Sequence, residues 1–252
     1  QKEGARLMMG ARVTALRHDP VAARPWTVTT ECGGSIAHLD ADFVWSTIPV
    51  SILSRIVQPA APQEVALAAA QIDYRAMLLV YLTLGVDRFT EYDAHYFPAA
   101  SVAITRLSEP KNYADTTEPR GRTTICAELP CTADDQHWKS DDAQLADLVA
   151  RDLAHAGIPL PAAPIEVNVR RLRFAYPIYQ RGYEKPFETL DCWVDGLPAF
   201  LSYGRQGLFA HDNTHHALYM AYAAADCLKD GRFDSDRWHG YREVFATHVV
   251  ED

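Results

Sequence analysis

The feature that most restricts the fold of this chain is a strand, a glycine-bearing loop and an Ala-rich helix in immediate succession. Residues 199–203 read as a short apolar strand. Gly204-Arg205-Gln206-Gly207-Leu208-Phe209-Ala210-His211-Asp212-Asn213 follows as a loop, and residues 214–228 as a helix with small residues at Ala217, Ala221, Ala224 and Ala225. Small side chains let a helix backbone approach a sheet or a ligand closely. A helix start carries N–H groups without an intrahelical acceptor and a partial positive charge, so it suits an anionic or electron-rich ligand edge.

The rest of the chain reads as one α/β module interrupted by an α+β module. Arg12-Val13-Thr14-Ala15-Leu16 alternates as a half-buried strand. Residues 26–30 and 36–39 read as a hairpin turned by Cys32-Gly33-Gly34-Ser35. Residues 41–49 carry a continuous apolar centre, expected as a strand buried on both faces and stopped by Pro49. A Pro/Ala linker at 59–62 and a helix at 63–71 lead into a β-rich block with strands at 77–84, 94–97, 102–107 and 123–129. Residues 109–121 read as a loop. Ser140 is the expected cap of a helix whose stripe is Leu145, Leu148, Val149 and Leu153. A further strand at 167–174 ends at Tyr176-Pro177, and the final 20 or so residues read as a polar helix or tail.

Composition narrows the function. The net charge of −9 with no basic patch argues against a nucleic-acid partner. No apolar run of about 18 residues is present, so no membrane span is expected. Five cysteines without a CxxC pair suit free thiols in a reducing cytoplasm. Gln1-Lys2-Glu3-Gly4 opens no signal peptide, and the lack of an initiator Met suggests sequence upstream. His211, His215 and His216 invite a metal reading, but His211 precedes the expected cap and no His-Glu-x-x-His pattern supports it, so no metal is expected. There is no Gly-x-Ser-x-Gly elbow.

The Gly-Arg-x-Gly loop and its helix resemble the C-terminal flavin motif of the flavin amine oxidase superfamily, which includes protoporphyrinogen oxidase-like and UDP-galactopyranose mutase-like members. Ala41-Asp42-Phe43-Val44-Trp45-Ser46-Thr47-Ile48-Pro49 resembles the family's returning strand, often Ala-Asp-x-Val-Ile-x-Thr-x-Pro. Gly10-Ala11-Arg12-Val13-Thr14-Ala15-Leu16 resembles its adenine-side strand. Thr105-Arg106-Leu107-Ser108-Glu109-Pro110-Lys111-Asn112 and Tyr176-Pro177-Ile178-Tyr179 also have counterparts there. The resemblance covers residues 7–228 in order.

The resemblance implies an FAD-dependent oxidoreductase acting on a small-molecule substrate by hydride transfer to flavin. It places residues 1–58 and 198–230 in an FAD-binding Rossmann-like domain. Residues 59–197 become a substrate domain on a mixed sheet, and 231–252 a tail. Gly204 and Arg205 would lie near the flavin ring, and Asn213, where relatives often carry Asp or Glu, would bind the ribityl chain or act only as the helix cap. The backbone N–H groups of Thr214 and His215 would face the flavin edge. Thr47 and Pro49 would lie near the adenosine half, with the Val13 backbone on adenine. Tyr176 and Arg106 are the substrate candidates, against ordinary sheet packing and a surface salt bridge. Tyr179, Tyr183 and Tyr203 share the aromatic-wall or packing ambiguity. The catalytic group is left unassigned.

The family's strand–Gly-x-Gly-x-x-Gly–helix, which cradles the FAD pyrophosphate, has no counterpart here. Without it this stretch is expected to bind FAD weakly and to be inactive. A flavin-dependent, non-redox sugar-nucleotide mutase, with Arg106 and Arg173 on the substrate, and a cofactor-free degenerate relative are the alternatives.

Overall fold

A computed structural model describes residues 4–114 and 116–250. The opening Gln1-Lys2-Glu3, Asp115 of the expected loop and the last two residues of the expected tail lie outside them. In chain order β1 (Arg12–His18), β2 (Trp26–Cys32), β3 (Ser35–Ala41) and β4 (Val44–Ser46) lead to α1 (Val50–Ile56), β5 (Val57–Gln58) and α2 (Gln63–Ala69). Next come β6 (Tyr74–Leu84), β7 (Ala94–Tyr96), β8 (Arg106–Ser108), α3 (Pro110–Tyr113), β9 (Thr123–Cys131), α4 (Gln136–Lys139), α5 (Asp142–His155) and β10 (Glu166–Pro177). Then follow α6 (Glu184–Asp195), β11 (Phe200–Ser202), α7 (Gly204–Gly207), α8 (Thr214–Cys227), β12 (Leu228–Lys229), β13 (Arg232–Phe233) and α9 (Ser235–Phe245). The class is α/β with several sheets.

The chain divides into two compact units, Gln1–Asp73 with Pro177–Asp252, and Tyr74–Tyr176. The sequence places these boundaries at 58/59 and 197/198 instead. The difference arises because α2 and α6, expected in the insertion, pack against each other and against α1 in the first unit. The backbone closes the same unit, with Ile178 N donating to Asp73 O at 2.9 Å and Gln180 Nε2 to Asp73 Oδ2 at 2.7 Å.

In the first unit β3, β2, β1 and β5 form one sheet in that order. Its hairpin is the expected one: Cys32 pairs with Ser35, and Gly33 and Gly34 take φ of 56° and 82°, the left-handed region a two-residue primed turn demands. A second, two-stranded sheet pairs β4 and β11 in parallel, Val44 with Phe200 and Ser46 with Ser202. The run 41–46 is not buried on both faces as expected. After Ala41, the end of β3, only Val44–Ser46 are strand, and Val44 and Trp45 are half-buried, because β11 is the only strand paired with β4 among the described residues. The expected polar helix at the C-terminal end is α9, but it is not merely solvated. Trp238 and Phe245 of α9 are buried with Leu201, Met220, Ala223 and Ala224, so α9 and α8 share a core.

The second unit is a five-stranded sheet in the order β10, β6, β9, β8, β7. α5 lays Leu145, Val149 and Leu153 on it, all fully buried at i, i+4 and i+8. Its cap is Asp141, in a capping box with Gln144, and not Ser140. Ser140 instead ends α4, its N–H bonded to the Gln136 and His137 carbonyls. The expected strand at 102–107 shortens to Arg106–Ser108. Val102 and Ile104 are still core residues, but the Asp152 carboxylate accepts the N–H groups of Ala103 and Ile104 at 2.8 and 3.1 Å, replacing a ladder partner.

A buried polar knot stands beside this core. Glu109 accepts from Phe89 N and Thr123 Oγ1 on one oxygen (3.0 and 2.6 Å) and from Thr90 N and Asn112 Nδ2 on the other (3.1 and 3.3 Å). Lys111 Nζ donates to the carbonyls of Asp87, Pro119 and Arg122 at 2.7, 2.8 and 3.1 Å. Both buried charges thus reach full hydrogen-bonding capacity.

Candidate functional site

In the first unit β4 and β11 end side by side, and each runs into a helix. Thr47 and Ile48 separate β4 from Pro49, the N-cap of α1. Tyr203 N donates to Ser46 O at 3.0 Å, and the chain then turns into α7. In open parallel sheets the space beyond the carboxyl ends of the strands is where ligands bind.

The two glycines of the loop are required for different reasons. Gly204 takes φ +80°, and a Cβ there would sit 3.9 Å from the Thr47 side chain, so it is conformation and not space that favours glycine. At Gly207 a Cβ would come within 2.7 Å of Ser202 Oγ and 3.4 Å of Ser46 O, while Ser202 Oγ already donates to Gly207 O at 3.1 Å. Helix and strand approach too closely there for any side chain.

Arg205 closes the loop. Its Nε donates to the Asp212 carbonyl at 3.0 Å and its Nη2 to the same oxygen, while Ala210 N reaches back to Arg205 O at 2.9 Å. Phe209, at φ 49°, occupies a region unfavourable to a bulky residue. It is held there by rings of Tyr179, Tyr183 and Phe187 at 5.2, 5.5 and 5.8 Å. These rings with His211, Asp212 and His248 line a cavity of about 460 Å³.

Asn213 caps α8. It forms a capping box with His216, whose Nδ1 accepts the Asn213 backbone N–H at 3.2 Å. Thr214 and His215 occupy the first two helical positions, where N–H groups point out of the helix without intrahelical acceptors. Both are exposed, and so are Leu218 and Tyr222 further along the same face. At the end of β4 the buried Ser46 Oγ has no hydrogen-bond partner among the described residues.

Thr47, Pro49, Gly204, Arg205, Asn213, Thr214 and His215 therefore belong to one unit, with Thr47 directly against Gly204. Val13 is in the same unit, on β1, 37% exposed and beside a register shift between Val13 and Ala15. Tyr176 and Arg106 belong to the other unit. Arg106 is engaged there: its Nε donates to Glu128 Oε1 at 3.0 Å, with Nη2 on the same oxygen. Partial burial, the largest single influence, opposes its charge, but the hydrogen bonds and charges of Glu128 and Tyr96 together outweigh it and raise its pKa. Tyr179 and Tyr183 line the cavity, whereas Tyr203 packs edge-on to Trp45 and Trp238 at 6.2 and 6.4 Å, and burial pushes its phenol up.

Sequence reasoning missed two participants, Asp212 and His248. Asp212 Oδ1 lies 3.5 Å from Nδ1 of both His216 and His248. Of the histidines singled out in the sequence only His216 joins them: His211 is exposed against Tyr179, and His215 meets the His216 ring at a tilt. A motif search would not join Asp212 to His248, because only the packing of α9 against α8 brings them together.

The sequence itself supplies the family. The model of the flavin containing amine oxidoreductases matches residues 1–233. The chain belongs to this family. Its fold is similar to that of a reduced UDP-galactopyranose mutase, with a TM-score of 0.75 at 17% identity over 100% of this chain and 53% of the mutase. It is also similar to that of a candidate protoporphyrinogen oxidase from Exiguobacterium sp. 255-15, with a TM-score of 0.56 at 14% identity over 94% of this chain and 47% of that one. The chain thus spans about half the length of either structure. No curated protein matches the sequence. Among the described residues no helix is long and apolar enough to cross a membrane.

Proposed function

We propose that this chain forms the flavin-ring half of the cofactor site, together with the substrate unit, of an FAD-dependent oxidoreductase that transfers a hydride from an organic substrate to flavin. The observation that carries this reading is the strand–loop–helix of β11, α7 and α8. Two parallel strand ends, a loop locked by Arg205 on the Asp212 carbonyl, and an open helix start converge within one unit. FAD, when bound, supplies the hydride acceptor.

The residues fit such a group at its ring end. The Thr214 and His215 N–H groups and the helix start favour the negative charge a reduced flavin edge gains. Arg205 holds the loop that aims them, and Asn213 adds its amide to the ribityl side. Leu218 and Tyr222, apolar yet exposed, suit a helix face that meets an aromatic ring or another segment. Thr47, Pro49 and the Val13 backbone would serve the adenosine half, Val13 beside a bulge where the regular ladder is interrupted. The Tyr74–Tyr176 unit, with Tyr176 and Arg106, would carry the substrate side.

The test is flavin content and turnover in the protein expressed with its native upstream coding sequence. Stoichiometric FAD, and at least a tenfold weaker retention in Arg205→Met, would support the assignment. Flavin retained equally by Arg205→Met and by Gly204→Val would sink it. Activity that requires prereduced flavin, without net electron transfer, would transfer the reading to a mutase-type isomerisation.

A further inference from the structure

We propose that Asp212, His216 and His248 form a site for a divalent transition-metal cation of the zinc class at the start of α8. One suitable atom from each residue lies within 4.8 Å of the others. The Asp212 side chain is 2% exposed, and its Oδ2 has no hydrogen-bond partner among the described residues; neither has His248 Nδ1. A buried carboxylate with an unbonded oxygen is costly unless a cation offsets it.

The hydrogen bonding shows that the gap is not filled by a proton on His216. Its Nδ1 accepts the Asn213 N–H at 3.2 Å, so at 3.5 Å from Asp212 Oδ1 it presents a lone pair to another lone pair. His248 Nδ1 faces the same oxygen at 3.5 Å. Asp212 Oδ1 and His216 Nδ1 thus meet lone pair to lone pair with the His248 imidazole beside them, and a cation bound by all three removes that repulsion.

The donor set of two imidazoles and one carboxylate suits zinc, cobalt or nickel better than magnesium or calcium, which prefer all-oxygen shells. Around a tetrahedral metal, bonds of about 2.0–2.2 Å put every pair of ligand atoms roughly 3.3–3.6 Å apart. The two 3.5 Å separations already match. The third separation, at most 4.8 Å, closes by about an ångström when the stacked His216 and His248 rings, 4.2 Å apart, turn toward Asp212 and His216 Nδ1 exchanges the Asn213 N–H for the metal. Asp212 and His248 also line the cavity of about 460 Å³, from which water or a small ligand could take the remaining position. The site has three protein ligands and one open position, the pattern of metals that exchange ligands.

The test uses the chelator-stripped protein with the two exposed thiols, Cys32 and Cys192, replaced by serine so that they do not bind metal themselves. Cobalt(II) is titrated and its visible ligand-field bands are followed, then zinc is added in competition. The expected result is one saturable cobalt per chain, displaced by zinc and not by magnesium. Binding should weaken by about a hundredfold or more in both Asp212→Asn and His248→Gln, and remain unchanged in His211→Gln. Far-UV circular dichroism confirms that each variant is folded. The absence of a saturable cobalt spectrum, or equal binding by Asp212→Asn and His248→Gln, overturns the proposal and leaves a proton shared between Asp212 and His248 as the occupant.

Discussion

Two buried carboxylates, one in each unit, make opposite use of burial. Glu109 is 3% exposed and Asp212 2%. Glu109 sits at the hub of four donors and fastens the loop at Phe89–Thr90 to β9. Asp212 faces two imidazoles across 3.5 Å, and one of its oxygens has no hydrogen bond. Both reach the interior in polar loops, so burial alone does not separate the two cases. Satisfaction does: a fully satisfied buried charge fastens structure, and an incompletely satisfied one is held for something else.

The largest effect expected from this contrast is Glu109→Gln. Its amide NH2 must face a backbone or hydroxyl donor, and unfolding by urea should show a loss of about 3 kcal/mol. A loss below about 1 kcal/mol would mean that the knot is not structural.

Gly207→Ala comes next, at about 2 kcal/mol, because the new methyl group meets Ser202 Oγ and the Ser46 carbonyl. Adding Ser202→Ala should return part of that loss. Strictly additive effects in the double mutant would show that the contact is not the cause.

A pH profile sharpens the contrast between the units from another side. Burial pushes the Cys126 and Cys131 thiols of the second unit up to about 11 from an ordinary 9.0. A folded pKa above the unfolded one means the native state keeps protons that the unfolded state releases, so stability is full below about 9 and falls as pH rises toward about 11. Replacing both cysteines with alanine should flatten that decline. The exposed Cys32 and Cys192 should react with a disulfide reagent before any buried thiol.

The smallest effect is Asp212→Asn, expected to change stability by less than about 1 kcal/mol or to raise it, since the loss of an incompletely satisfied charge relieves as much as it costs. Denaturation beside Glu109→Gln checks this directly. Equal losses in the two variants would mean that Glu109 and Asp212 play the same structural part.

Local chemistry made much of the fold legible in advance. Gly33-Gly34 announces its hairpin, the 145/149/153 stripe its helix, and the Gly-Arg-x-Gly loop its strand and helix neighbours. α6 escaped notice because its apolar side is short, with Leu190 and Val194 buried and Pro186 in its first turn suggesting a loop. The unit boundaries escaped with it, since they depend on α6 meeting α2. At the candidate site the loop and cap were readable because their reasons are local. The meeting of Asp212 with His248 was not, because it depends on where α9 docks. The Glu-Pro-Lys stretch at 109–111 stood out as a motif, but its hydrogen bonds are to loops and a strand that no spacing rule connects.

The two glycines of the α7 loop carry a lesson for anyone scanning related sequences. A position fixed by backbone handedness, like Gly204, can drift to asparagine or aspartate, which tolerate left-handed geometry. A position fixed by the closeness of a neighbouring strand, like Gly207, has no such escape, because even alanine collides. A search pattern that treats the first glycine as variable and the second as invariant would recover members that a symmetrical pattern discards.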